Sequence, residues 1–155
     1  MLEIYKMAGH LIRRMNQIST SVFAERMAAE GYDLTSVQFA ALTALEAHPG
    51  IDQATLAGII AYDKVTIAGV VERLEQKALI ERTVSPRDRR SRVLKLSADG
   101  VAILAHLKPV VRALQEDILT GLDSAEKETL LRLLEKATKA GNQVSRAPLM
   151  VKTAR

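Results

Sequence analysis

The chain contains no cysteine and no tryptophan, and only three tyrosines and two phenylalanines among its 155 residues. Without cysteine, disulfides, thiolate zinc sites and thiol-based redox sensing are excluded together. With so few aromatics, aliphatic side chains must fill the core. No apolar run approaches the length of a membrane-spanning helix. The start, Met1-Leu2-Glu3-Ile4-Tyr5-Lys6, lacks the basic residues and apolar block of a secretory signal, so a cytoplasmic location is expected. There are no internal repeats and no low-complexity segments. The histidines at 10, 48 and 106 have no metal-ligand spacing. A glycine-rich phosphate loop, a Gly-x-Ser-x-Gly elbow and a spaced nucleophile–base pair are all missing. No metal, no cofactor and no enzymatic activity are therefore expected.

What is present is an ordinary globular composition, 48% apolar and 26% charged, with its excess charge in one place. Residues 60–97 carry nine Lys or Arg against five Asp or Glu, and the rest of the chain sums to zero. A local excess of this kind is an electrostatic footprint for a polyanion. Its sharpest part is Ser85-Pro86-Arg87-Asp88-Arg89-Arg90-Ser91-Arg92, with four arginines and one aspartate between two β-prone runs. A turn so charged cannot be buried, because each unpaired guanidinium taken from water costs several kcal/mol. Arginine's planar fork suits phosphates and base edges, which makes this tip an inserting device for DNA.

Periodicity places helices around the tip. Ile4, Ala8, Leu11, Met15, Ile18, Val22 and Phe23 share one stripe of a first helix over residues 4–29, with Gly31 as its stop. Thr35-x-x-Gln38 has capping-box spacing and opens a second helix that His48-Pro49-Gly50 ends. Asp52 caps a short helix over 53–60, and Asp63 is expected to cap another over 64–77. Only Ala61-Tyr62-Asp63 separates these two, which reads as a helix-turn-helix. Strands over 79–84 and 92–96 follow, with the arginine tip between them. Ser97 caps a helix to about Leu119 that Pro109 should kink or divide. Asp123-x-x-Glu126 is a second capping box, for a last helix ending near Gly141, and a basic tail from Ser145 is expected to fray.

The fold class is thus mainly α with a small β-hairpin wing: a winged helix-turn-helix over residues 35–97 plus a helical dimerisation lobe from 1–30 and 98–145, with 146–155 as a tail. A lobe with so little chain is most stable when two subunits share it.

On the expected helix 64–77, Ile67, Val70, Val71, Leu74 and Ala78 share the inner face. The opposite face holds Tyr62, Val65, Thr66, Gly69, Arg73 and Gln76. Val65 and Thr66 suit contact with a thymine methyl, and Arg73 has the reach for a phosphate or a guanine edge. Gly69 costs roughly 1 kcal/mol of helix propensity but permits close approach to a groove wall. A plain solvated helix face accounts for the same residues, and only the adjacent wing favours DNA. Lys64 and Lys77 on the flanks fit either phosphate contacts or solubilising charges.

Asp88-x-Arg90-x5-Leu96-Ser97 resembles the Asp-x-Arg-x5-Leu-Thr signature of the MarR family of bacterial transcriptional regulators, with Ser97 in place of threonine. The preceding Val70-Val71-Glu72-Arg73-Leu74-Glu75-Gln76-Lys77-Ala78-Leu79-Ile80 is similar to that family's recognition helix and first wing strand, with Ala78 where glycine is more usual. Helix order and length fit along nearly the whole chain. The resemblance implies a homodimer on an operator in double-stranded DNA. It implies that Arg90 enters the minor groove, where a narrow groove's negative potential attracts arginine. It also implies that Asp88 holds Arg90 or its neighbours in the inserting geometry, though aspartate is equally an ordinary turn-former. Arg87, Arg89 and Arg92 are then candidate phosphate contacts.

Regulators resembling this family often bind small aromatic acids between the dimer lobe and the DNA lobe. His10 and Arg14 share a face of the first helix, with Gln17 one turn on and Arg13 adjacent. Such a set suits a carboxylate and a ring hydroxyl, and Gln38 and Phe39 stand as candidates for the other wall. The same residues also fit plain exposed polar positions or dimer contacts. Residues 48–57 and 62–66 look like the family's regulators of nicotinate and related aromatic-acid breakdown, which implies a hydroxynicotinate-like effector and a repressor released by it. A regulator with no effector and a winged helix that binds protein are the alternatives. Against the protein-binding alternative, such a wing more often presents apolar side chains than four guanidiniums.

Overall fold

The computed structural model describes residues 1–150. After a 3-10 turn at Glu3–Lys6, the helices are α1 (Ala8–Ala29), α2 (Ser36–Ala47), α3 (Gln53–Ile59) and α4 (Ile67–Gln76). Strands β1 (Ile80–Val84) and β2 (Arg92–Leu96) follow, then α5 (Ala98–Ile118), α6 (Ser124–Gly141) and a 3-10 turn at Asn142–Val144. The mainly helical class with a two-stranded antiparallel wing is as the sequence implied.

The caps expected at Thr35, Asp52, Ser97 and Asp123 form. Thr35 Oγ1 accepts from Gln38 N at 3.1 Å while the Gln38 side chain accepts from Thr35 N at 3.2 Å. Asp52 accepts from Thr55 N at 2.7 Å, and Asp123 and Glu126 exchange two bonds of 2.9 Å. Gly31 ends α1 at φ +83, with Tyr32 N donating to Met27 O and Gly31 N to Ala28 O. This is the paired bonding of a Schellman motif.

Four expectations are corrected, and at Pro109 one of the two expected outcomes is set aside. The first helix is broken at Met7, which is extended, so Glu3–Lys6 forms a separate turn; the apolar stripe continues on both sides and gives no sign of it. The second helix of the helix-turn-helix begins at Ile67 rather than Lys64. Asp63 does not cap that helix: its Oδ1 accepts from Val65 N at 2.7 Å, holding Lys64, Val65 and Thr66 in a turn. Pro109 does not divide α5, which runs through it as one helix, with Leu104, Leu107 and Leu114 wholly buried along its length. Finally, residues 145–150 are not frayed but lie against the α3–α4 turn, where Met150 N donates to Gly58 O at 2.8 Å. The remaining part of the expected tail, 151–155, lies outside the described residues.

One continuous core joins the two lobes. Phe23 and Met27 of α1 and Leu104, Leu107 and Leu114 of α5 belong to the same cluster as Leu42, Leu45, Leu56, Ile67, Val71, Leu74 and Leu94. Each fully buried leucine contributes about 2 kcal/mol of apolar transfer energy. Beyond the core, the N-terminal half of the α1 stripe is exposed, at Leu11, Ile12, Met15 and Ile18, as is Ile4 in the preceding 3-10 turn. Helix α6 buries no residue and leaves Leu131, Leu133 and Leu134 open.

Candidate nucleic-acid interface

The wing is registered by pairs running from Ile80↔Leu96 to Val84↔Arg92. Ile51 adds an isolated bridge to Leu94, with Leu94 N donating to Ile51 O and Gly50 N to Leu94 O, both at 2.8 Å. One residue of strand leaves no alternation to read, so this third edge carries no signature in the sequence. It pins the root of β2 to the end of α2.

At the tip, Ser85 N donates to Ser91 O at 2.9 Å and closes the loop. Asp88 works on the main chain: its carboxylate accepts from Arg90 N at 2.9 Å, and its carbonyl accepts from Ser91 N at 3.0 Å. The turn-forming and arginine-positioning readings of Asp88 thereby coincide, because the bond that shapes the turn also fixes the backbone of Arg90. Arg87, Arg89, Arg90 and Arg92 are all exposed. Among the described residues no ion pair holds any of the four.

Helix α4 buries Ile67, Val70, Val71 and Leu74, as the periodicity required. Ala78 departs from the expected inner face: it is exposed, at φ +57, as the left-handed residue closing the helix. Leu79 N donates to Leu74 O across it, the position where glycine relieves a strain of about 1 kcal/mol. The outward set is intact: Lys64, Val65, Thr66, Gly69 and Arg73 are exposed, Val65 to 87%, and Tyr62 is half-buried against the core. A Cβ built at Gly69 meets nothing within 4 Å. Nothing inside the chain requires glycine there, so its backbone is bare toward whatever docks from outside. Lys77 serves neither of the roles open to it from sequence. Its Nζ donates to Asp33 O and, at 3.1 Å, to Gln38 Oε1.

The candidate effector residues are only partly assembled. Arg13, not Arg14, bridges the polar face of α1, lying 3.4 Å from His10 Nδ1 and donating to Gln17 Oε1 at 3.3 Å. The Tyr5 and His10 rings are 5.6 Å apart. Arg14 is exposed and stands outside this set. Gln38 is 3% exposed, with its carbonyl accepting from Thr35 N in the α2 cap and from Lys77 Nζ. Phe39 is half-buried, its ring 6.1 Å from Phe23. A cleft of about 290 Å³ lies beside that ring pair, lined by Thr20, Phe23, Ala24, Tyr32 and Thr35 among others.

Two helices joined by the short turn of residues 60–66, the second with one face open to solvent and flanked by an arginine-tipped hairpin, define a winged helix-turn-helix DNA-binding protein. The chain belongs to the MarR family, whose sequence profile matches residues 34–91. It is 35% identical over 134 residues to the transcriptional repressor NicR of Pseudomonas putida, spanning 86% of this chain and 84% of that protein. Among solved structures, it is similar to BpsR of Bordetella bronchiseptica, whose DNA binding is regulated by 6-hydroxynicotinic acid. That match has a TM-score of 0.80 at 28% identity, over 89% of this chain and 97% of BpsR. A MarR variant of Escherichia coli complexed with operator DNA matches with a TM-score of 0.74 at 28% identity, over 83% and 91% of the two chains. The chain is accordingly a DNA-binding transcription regulator and not an enzyme. Among the described residues no helix is long and apolar enough to cross a membrane, and no group of acidic, His or Cys side chains is arranged to hold a metal.

Proposed function

We propose that the protein is a homodimeric repressor that leaves a near-palindromic operator when a small aromatic carboxylate of the hydroxynicotinate kind binds. The observation that carries the DNA half is the wing tip, where Asp88 fixes the backbone of Arg90 and leaves every guanidinium free. In this reading residues 35–97 form the DNA lobe. Arg90 enters the minor groove, and Val65, Thr66, Gly69 and Arg73 face the adjoining major groove. Tyr62, Lys64, Arg87, Arg89 and Arg92 flank them. Residues 1–30 and 98–145 form the dimer lobe. The exposed apolar faces of α1 and α6 favour a second copy as their cover, since monomers rarely leave such surface open. Two lobes related by a two-fold axis read half-sites about one helical turn apart.

Binding should be steeply salt-dependent. A dimer making about 6–10 phosphate contacts loses on the order of 10³–10⁵ in affinity between about 50 and about 200 mM salt. Fluorescence anisotropy on a duplex selected by the protein from a random library measures this. A flat salt response would remove the arginine wing from the mechanism.

The effector half is supported by the likeness to BpsR and by the polar face of α1. A 100-fold difference in ligand affinity between the free and DNA-bound forms supplies about 2.7 kcal/mol of coupling, enough to release an operator. Arg14, free of the Arg13 bridge, is the guanidinium available to clamp a carboxylate. Arg14→Ala should bind the operator normally yet stay bound at concentrations of 6-hydroxynicotinic acid that release the parent. Release of the variant at the parent's concentrations would overturn the assignment.

A further inference from the structure

The C-terminal segment folds back onto the helix-turn-helix. Asn142 pinches it into a closed loop, its Oδ1 accepting from Leu149 N at 2.8 Å and its Nδ2 donating to Leu149 O at 3.1 Å. Met150 N then donates to Gly58 O at 2.8 Å, and a Cβ at Gly58 would lie 3.0 Å from the Met150 side chain. At the tip of the loop, Arg146 Nε lies 2.7 Å from Asp63 Oδ2. The other Asp63 oxygen is fixed by Val65 N at 2.7 Å, so the carboxylate that holds Arg146 is itself held. The Arg146 side chain remains 87% exposed while that of Asp63 is 17% exposed. Arg146, Ala147 and Pro148 line one cleft with Tyr62, Lys64, Val65 and Thr66.

We propose that Arg146 belongs to the DNA-binding surface, as a phosphate-contacting residue delivered by the C-terminal loop to the start of the recognition helix. This rests on the DNA-binding reading and extends the interface beyond the winged helix itself. Three observations converge on it. Asp63 is the one acid between Tyr62 and Gly69, and left alone it would repel a phosphate approaching the turn. Arg146 cancels that charge, and because Asp63 engages Nε, the two terminal nitrogens remain for a second anion. The loop closure around Asn142 and the fixed carboxylate together pre-order a side chain that would otherwise lose much rotamer freedom on contact. An ion pair so exposed adds little to fold stability, so stability alone does not explain it.

The test compares the parent, Arg146→Ala and Arg146→Lys on the selected duplex and on an unrelated one across a potassium chloride series. Arg146→Ala should weaken both duplexes about equally and lower the slope of log affinity against log salt by about 0.9 for each arginine removed. Its melting temperature should stay unchanged, and Arg146→Lys, whose single ammonium must serve both Asp63 and the phosphate, should recover only part of the slope. An unaltered slope in Arg146→Ala overturns the proposal, whether affinity holds or falls together with the melting temperature. A parent that binds neither duplex sinks the underlying DNA-binding reading instead.

Discussion

Arg90→Ala is expected to lower operator affinity on the order of 100-fold while leaving the folded chain untouched. A base-reading or groove-inserted arginine carries about 1–3 kcal/mol, and a two-fold symmetric dimer loses the contact twice. Nothing compensates inside the protein. The Arg90 side chain is exposed, and what orders the tip is main-chain bonding from Asp88 and Ser85 that alanine preserves. Circular dichroism and thermal melting should therefore match the parent while gel-shift titration moves by about two decades. A protein with the parent's affinity would show that the wing lies away from the duplex. Arginines 87, 89 and 92 are equally exposed, but none has its own N–H held by the Asp88 carboxylate. That difference is why the largest loss is assigned to Arg90.

The parts of this site that were legible in the sequence are those encoded by local rules. Cap chemistry at Thr35, Asp52, Ser97 and Asp123 depends on residues three apart. The wing was legible because four arginines in one turn have nowhere to go but outward. What the sequence hid depends on contacts distant along the chain. Asp63 reads as a cap by its own position, but it serves a two-residue turn and a partner at Arg146. Gln38 and Lys77 each looked free for a ligand or a phosphate, and they satisfy one another across 39 residues. The stripe on α1 was visible as a stripe, yet periodicity identifies an apolar face without saying what covers it. Toward its C-terminal end Phe23 and Met27 are buried within the chain, while Leu11, Ile12, Met15 and Ile18 stay exposed.

Gly69 and Gly100, both within helices, should respond oppositely to alanine, and Gly100→Ala should be the most damaging alanine replacement at any glycine among the described residues. A Cβ at Gly100 would stand 2.0 Å from Leu79 O and 3.0 Å from Leu79 C, both main-chain atoms that no rotamer change can move. The same carbonyl accepts from Ser97 N at 3.0 Å, while Ser97 Oγ donates to Ala78 O at 2.6 Å and accepts from Gly100 N at 3.0 Å. This set of bonds joins the end of the recognition helix, the root of the wing and the start of α5. The steric cost, about 3 kcal/mol for forced overpacking, exceeds the roughly 1 kcal/mol that alanine brings in helix propensity. For a chain of this length the net loss should lower the melting temperature by roughly 4–8 °C. Gly69→Ala, with open space around it, should gain the propensity and melt slightly higher. If the bare backbone at Gly69 faces a groove wall, that stabler variant should also bind the operator more weakly. Stability and affinity would then part company at Gly69 and fall together at Gly100, because only Gly100 sits where the DNA-reading elements are fastened to the rest of the molecule.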